Sequence, residues 1–169
     1  MIGETIHGVL RDSGIAAVSY VPDAGHAELI ERCQADPAIS AVVLTTEEEG
    51  VALAAGGWLG GMRTALLMQS SGVGNCVNMF SLVRTCSMPF LTLVTMRGEW
   101  GEANPWQVPM GQLTPRVLRE SGFVVLRVDD VGSLAATVRS AATLAFDGGQ
   151  RVAVLLSQQL IGAKAFAEG

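Results

Sequence analysis

The chain has 169 residues, 49% of them hydrophobic and 16% charged, and carries a net charge of −5. That length suits one domain with a substantial core, while an acidic balance with a single lysine, Lys164, excludes the basic stripe that nucleic-acid binding requires. A charged share below the usual figure of about 25% leaves little polar covering, so part of the surface is expected to lie against another subunit.

Helix-spaced Ile2, Ile6, Val9 and Leu10 lead into the strand "AAVSYV", which Pro22-Asp23 closes. "HAELIERC" reads as a helix and Ala41–Leu44 as a buried strand; a helix follows from Glu47 to about Leu59. "TALLMQ" is the third strand, "NCVNMFSLVRTC" a helix that ends before Pro89, and "FLTLVT" the fourth strand. An irregular segment from Arg97 to Gln112 precedes a helix starting at Thr114, the strand "FVVLRV", an amphipathic helix and a last strand, "VAVLL". That amphipathic helix sets Val131, Leu134, Ala135, Val138, Ala142 and Ala145 on one face, with Asp129 or Asp130 as cap and Gly148-Gly149 as stop. Short apolar strands alternating with helices predict an α/β fold: a mostly parallel six-stranded sheet with helices on both faces, in three layers. No repeat or linker interrupts residues 1–169, so a single domain is expected.

The start "MIGETIHGVL" lacks a basic region and an apolar core, so no secretory leader is expected. No apolar run approaches the roughly 20 residues of a membrane helix. Cys33, Cys76 and Cys86 are odd in number and lack a CxxC spacing, which suits reduced thiols in a cytoplasm. With only His7 and His26, and no HxH or HExxH, no metal site built from this chain alone is expected.

In parallel sheets ligands collect beyond the carboxyl ends of the strands. Unusual residues stand at four such ends. In "TTEEEG", Thr46 and Glu49 have the spacing of a capping box, and any carboxylate in a first helical turn is favoured by the dipole. With Glu49 used by the box and Glu48 free to face solvent, Glu47 has no structural duty. The helix after it, "GVALAAGGWLGG", gives up about 1 kcal/mol for each interior glycine, and Gly56-Gly57 are best explained by close packing of a backbone or flat ligand. "SSGVGN" is a glycine turn opening a helix, and it matches neither GxGxxG nor GxxxxGK[ST]. Arg97 is either paired with Glu99 or Glu102 or free to bind an anion. His26 begins a helix or serves as an acid–base group; Gln107 is a loop residue or a substrate contact. Trp100 and Trp106 are expected to pack on a partner subunit.

A glutamate nine positions before the glycine of "AAG", then "MQSSGVGN", with "VPD" earlier and "RGE" and "QVPMGQLTP" later, resembles the pyrimidine-binding (PYR) domain of thiamine diphosphate enzymes. The chain also resembles the separately encoded alpha subunits of sulfopyruvate decarboxylase and the corresponding half of phosphonopyruvate decarboxylase. The resemblance implies a PYR-type fold and a decarboxylase of 2-oxo acids, sulfopyruvate-like or phosphonopyruvate-like. The alternatives are another thiamine diphosphate-dependent carboligase or lyase subunit, or a non-catalytic oligomerising domain. It implies that Glu47 is the catalytic carboxylate, hydrogen-bonding the aminopyrimidine so that its imine can take the thiazolium proton. Gly72, Gly74 and Asn75 would shape the cofactor pocket; His26, Gln69, Ser70, Arg97 and Gln107 would lie toward substrate. Thr46 and Glu48 stand where large members of the superfamily have His and Gln, and Met96 and Ser70 where near relatives have Trp and Asn. The family binds diphosphate and Mg²⁺ through a GDG…N segment that this sequence lacks. A beta subunit bearing that segment is therefore implied, in a hetero-oligomer of at least two alpha and two beta chains.

Overall fold

The computed structural model describes residues 1–162. Its elements run α1 (Ile2–Asp12), β1 (Ile15–Tyr20), α2 (Ala27–Ala35), β2 (Ser40–Val43), α3 (Glu47–Leu59), β3 (Arg63–Gln69), α4 (Ser70–Cys76), α5 (Phe80–Thr85), β4 (Phe90–Thr95), α6 (Val108–Glu120), β5 (Val124–Val128), α7 (Val131–Phe146), β6 (Arg151–Leu156) and α8 (Gln158–Ile161). Short 3₁₀ turns at Ala24–His26 and Pro105–Gln107 lead into α2 and α6. The six strands form one sheet in the order β2-β1-β3-β4-β6-β5, and every pair is parallel. The three-layer architecture expected from the sequence is the one observed.

Period-two alternation sorts the strand residues between two cores. Ala65, Leu67, Leu91, Leu93, Val152 and Val154 pack under α1, α2 and α7. Leu66, Met68, Phe90, Val94, Ala153 and Leu155 pack under α3, α4, α5 and α6. In the second core Phe80, Phe90 and Phe123 meet edge to face, with centroids 4.7–6.3 Å apart; each such pair contributes about 0.5–1.5 kcal/mol beyond burial.

This arrangement fixes where a site can lie. β1 and β3 are neighbours, yet the chain leaves β1 for the α2 face and β3 for the α4 face. Their carboxyl ends therefore open a crevice between diverging connections.

Three local expectations are corrected. The helix expected over Asn75–Cys86 starts at Ser70 and is interrupted at residues 77–79. Val77 and Met79 keep helical angles there, while the amides of Ser81 and Leu82 bond back to Asn78 and Met79. The irregular segment ends at Gln107 rather than Gln112, since α6 begins at Val108 and holds Pro109 in its first turn, where a missing N–H costs nothing. The box at Thr46 is not made: the Thr46 side chain forms no capping bond, and Glu49 Oε2 reaches past the cap to accept from the Thr45 amide at 2.8 Å.

Candidate active site

The chain leaves β2 in an extended conformation through Thr46 and turns into α3 at Glu47. Glu48 and Glu49 point to solvent, whereas Glu47 is only 9% exposed. What lies beside Glu47 is the backbone of α4. A Cβ on Gly72 would sit 2.5 Å from Glu47 Oε1 and 2.6 Å from its Cδ and Cγ, so glycine is required for the carboxylate to fit. Asn75, one turn along, donates from Nδ2 to Glu47 Oε2 at 2.8 Å. Oε1 has no hydrogen-bond partner among the described residues. The acid is thus anchored through one oxygen and open at the other. Beneath it, burial first and the charges of Glu47 and Glu48 next push the Cys76 thiol up to about 12, leaving it neutral and unreactive.

The first turn of α4 is made of the "SSGVGN" residues, which the sequence places in a turn. Gly72 and Gly74 disfavour a helix by about 1 kcal/mol each, but tertiary packing overrides the propensity: Val73 and Cys76 are fully buried. Gly74 differs from Gly72, because a Cβ there would only touch the end of the Met110 side chain at 3.4 Å. Gly56 and Gly57 also divide. Gly57 lets α3 approach Thr64, as Gly50 lets it approach Leu66, while a Cβ on Gly56 would meet open space. The close packing expected at this pair is found at Gly57 alone, against the sheet.

Gly72→Ala should therefore unseat Glu47. The added methyl costs about 1–3 kcal/mol of overpacking. Thermal melting checks it, and a wild-type melting temperature would show that the contact is not needed.

Across the first turn of α4 lies the β1–β3 crevice. Gln69 Nε2 donates to Asp23 Oδ1 at 3.0 Å, Ser71 Oγ donates to Gln69 Oε1 at 3.0 Å, and Thr95 Oγ1 donates to Asp23 Oδ2 at 2.6 Å. A separate cavity of about 140 Å³ adjoins Asp23, lined by Ala24, Gly25, Thr95, Arg97 and Ile161 and not by Gln69. His26 is not part of this group. It is buried, its Nε2 lies 3.1 Å from the Leu93 carbonyl, and burial holds it below its usual range against the raising effect of Asp23.

Arg97 is already committed. Its Nε and one terminal nitrogen donate to the two oxygens of Glu102 at 2.6 and 2.7 Å. The side chains are 11% and 4% exposed, so this is a buried pair of the strong, bidentate type. Glu102 also accepts from the amides of Gly98 and Asn104 and from Gln158 Nε2. Gln158 itself, 0% exposed, accepts from the amides of Glu99 and Trp100. Glu99 pairs with Arg127, not with Arg97. The base of the loop is closed by bare backbone: a Cβ on Gly98 would strike the Gln107 carbonyl, and one on Gly111 the Arg97 carbonyl. Ser70 is fully buried and structural in its contacts, its Oγ accepting from the Arg97 amide. Gln107 leaves Oε1 buried without a partner among the described residues.

The structure thus brings Glu47, Gly72 and Asn75 together, sets Gln69 in the adjoining crevice, and holds His26, Ser70 and Arg97 in internal contacts. Sequence reading missed Asp23, Thr95 and Gln158, and named Glu102 as one of two partners for Arg97. Asp23 could have been found, since it ends the "VPD" turn at a strand's carboxyl end; Gln158 carries no local signal.

No protein-family model matches the chain. Over 117 residues, 69% of this chain and 71% of the relative, it is 42% identical to the sulfopyruvate decarboxylase subunit alpha of Methanothermobacter thermautotrophicus. The protein of the same name from Methanococcus maripaludis is 39% identical over 116 residues, 68% of this chain and 70% of the relative. Phosphonopyruvate decarboxylase of Streptomyces viridochromogenes is 37% identical over 111 residues, 64% of this chain and 28% of that one. Among solved structures, 2-oxoglutarate:ferredoxin oxidoreductase from Magnetococcus marinus superposes with a TM-score of 0.78 at 16% identity, over 95% of this chain and 29% of that one. That likeness concerns the fold alone.

Proposed function

The chain belongs to the family of sulfopyruvate decarboxylase alpha subunits, and from that premise we propose that it acts as the PYR-type alpha subunit of a thiamine diphosphate-dependent 2-oxo acid decarboxylase. The observation that carries the reading is Glu47, a carboxylate shielded from water, anchored by Asn75 and laid against the bare backbone of Gly72. Such a group fits the cofactor: a protonated ring nitrogen needs an acceptor that is fixed in direction and has one oxygen free. When bound, thiamine diphosphate supplies an acidic thiazolium carbon and an electron sink for the pair left as CO₂ departs.

Glu47 Oε1 is the oxygen available to hold a proton at the ring nitrogen, because Oε2 is taken by Asn75. Asn75 keeps the carboxylate in one rotamer, and a pre-set acceptor needs no reorganisation as charge shifts. Gly72 admits the carboxylate and the Cys76 thiol below it stays neutral, so no rival nucleophile is present at the site. Gln69 lies across the first turn of α4, toward the substrate side.

The whole chain works as one domain in this reading, and the diphosphate and Mg²⁺ are held by a beta subunit with a GDG…N segment. In support, the sequence has no GDG, and the described residues include no group of three His, Cys, Asp or Glu side chains able to hold a metal. Two alpha and two beta chains are the smallest assembly, with each active site between an alpha and a beta chain. The cytoplasm is its compartment; Cys33, Cys76 and Cys86 are free thiols, and no helix of the described residues is long and apolar enough to cross a membrane.

The test is reconstitution. Co-expressed with the GDG…N chain and given thiamine diphosphate and Mg²⁺, the complex should release CO₂ from at least one acid in a panel spanning sulfopyruvate, phosphonopyruvate and pyruvate. An assembled complex that leaves every acid intact ends the reading.

A further inference from the structure

The crevice between β1 and β3 is spanned by one side-chain hydrogen bond, from Gln69 Nε2 to Asp23 Oδ1. Its chemistry determines how Gln69 faces anything bound there. An ionised carboxylate only accepts, so the Gln69 nitrogen must turn toward Asp23 and its oxygen toward the Ser71 hydroxyl, 3.0 Å away. Asp23 in turn is tied to the sheet: its other oxygen takes the Thr95 hydroxyl at 2.6 Å, and Thr95 is almost wholly buried at the end of β4. The turn behind Asp23 rests on the same residue, since a Cβ on Gly25 would lie 2.8 Å from Thr95 Cγ2. Gln69 is therefore oriented from a rigid strand through Asp23. The second hydrogen on Gln69 Nε2 finds no acceptor among the described residues. Arg97, which lines the neighbouring cavity at Asp23 and Thr95, spends its fork on Glu102.

We infer that Asp23 is a positioning residue for substrate: it fixes the Gln69 side-chain amide so that an N–H, and not the carbonyl oxygen, is presented to an oxygen of the bound 2-oxo acid. This rests on the decarboxylase reading above. Without Asp23 the amide can rotate and set its carbonyl against the substrate oxygens, which weakens binding and leaves Glu47 with its own anchor at Asn75. The defect therefore falls on KM, with kcat little changed.

The experiment uses the assembled complex with Asp23→Ala, Gln69→Ala, the double variant and Asp23→Asn, alongside ¹⁵N spectra of the labelled alpha chain. Asp23→Ala and Gln69→Ala should each raise KM about tenfold, the size of one lost hydrogen bond to a charged ligand. The double variant should be no worse than either single one, because both remove the same contact. Asp23→Asn keeps an acceptor oxygen for Gln69 and should restore most of the wild-type KM. In the spectra, the Gln69 side-chain amide protons should be shifted from free-glutamine positions and protected from solvent exchange in wild type and Asp23→Asn, and should move to free-glutamine positions with faster exchange in Asp23→Ala. If Asp23→Ala does not assemble, Gln69→Glu carries the test: it sets two carboxylates against each other, and its KM must rise. An unchanged KM in these variants, multiplying effects in the double variant, or an amide signal indifferent to Asp23 overturns the inference. A wild-type complex that turns over no 2-oxo acid sinks the decarboxylase reading instead, and the amide signal then decides the positioning role by itself.

Discussion

Replacing Glu47 by glutamine should lower kcat of the reconstituted enzyme by about 10²–10⁴-fold, the range a positioned acid–base group contributes. Glutamine matches glutamate in shape, so it fits against Gly72, and its carbonyl oxygen can still accept from Asn75. What it lacks is the charge at Oε1. The fold, the melting temperature and KM should stay near wild type, which separates loss of chemistry from loss of structure. Single-turnover CO₂ release, measured with saturating thiamine diphosphate, reads the chemical step directly. Retention of the wild-type rate would remove Glu47 from the mechanism. Asn75→Ala, which frees the carboxylate to change rotamer, should cost about tenfold, since it removes orientation and keeps the acid.

The second large effect concerns stability. Glu102→Ala should destabilise the chain by about 3–5 kcal/mol, because it strands the buried Arg97 guanidinium without its counter-ion. Glu102 also ends the amides of Gly98 and Asn104 and the Gln158 side chain, so the whole 98–107 loop loses its centre. For a domain of this size the melting temperature should drop on the order of 10 °C. Removing both charges, with Arg97→Met and Glu102→Leu, should recover much of the loss, since an apolar pair replaces a stranded ion. The effect has a pH signature. The hydrogen bonds from Arg97, aided by those from Asn104, Gly98 and Gln158, hold the Glu102 carboxyl at about 2, against an ordinary 4.5. The folded chain thus binds the proton more weakly than the unfolded one, so the contribution is full above pH 4.5 and is lost as pH falls toward 2. Melting curves of wild type and Glu102→Ala should converge over that acid range. Curves that stay equally far apart down to pH 2 would show that the pair is not the source.

The parallel sheet was legible because its strands are short apolar runs: "FLTLVT" was bounded without error, and "TALLMQ" and "VAVLL" to within one residue. α7 was legible from its apolar stripe, and Asp130 caps it as one of the two aspartates expected. Glu47 was legible by exception, as an acid beside a strand end with no local duty. α4 was misread for a physical reason: glycines at 72 and 74 oppose a helix locally, and the space that Glu47 takes, which explains Gly72, comes from a distant part of the chain. The commitment of Arg97 could be named only as one of two options, because Glu102 is also held by Gln158, 56 positions beyond it. His26 looked poised near a strand end, yet one hydrogen bond to Leu93 places it inside. Local pattern reports elements, and long-range polar pairing goes unrecorded in it.

The closed base of the 98–107 loop bears on how the chain meets other proteins. Trp100 and Trp106 are 54% and 84% exposed at the outer part of that loop, while Gly98, Gly111 and Gln112 lock its two ends together. The conformational entropy of this loop is spent when the chain folds. Any surface that receives the two indoles encounters a shape already set, so docking forfeits little further freedom and complexes form with lifetimes governed by how well the rings are buried.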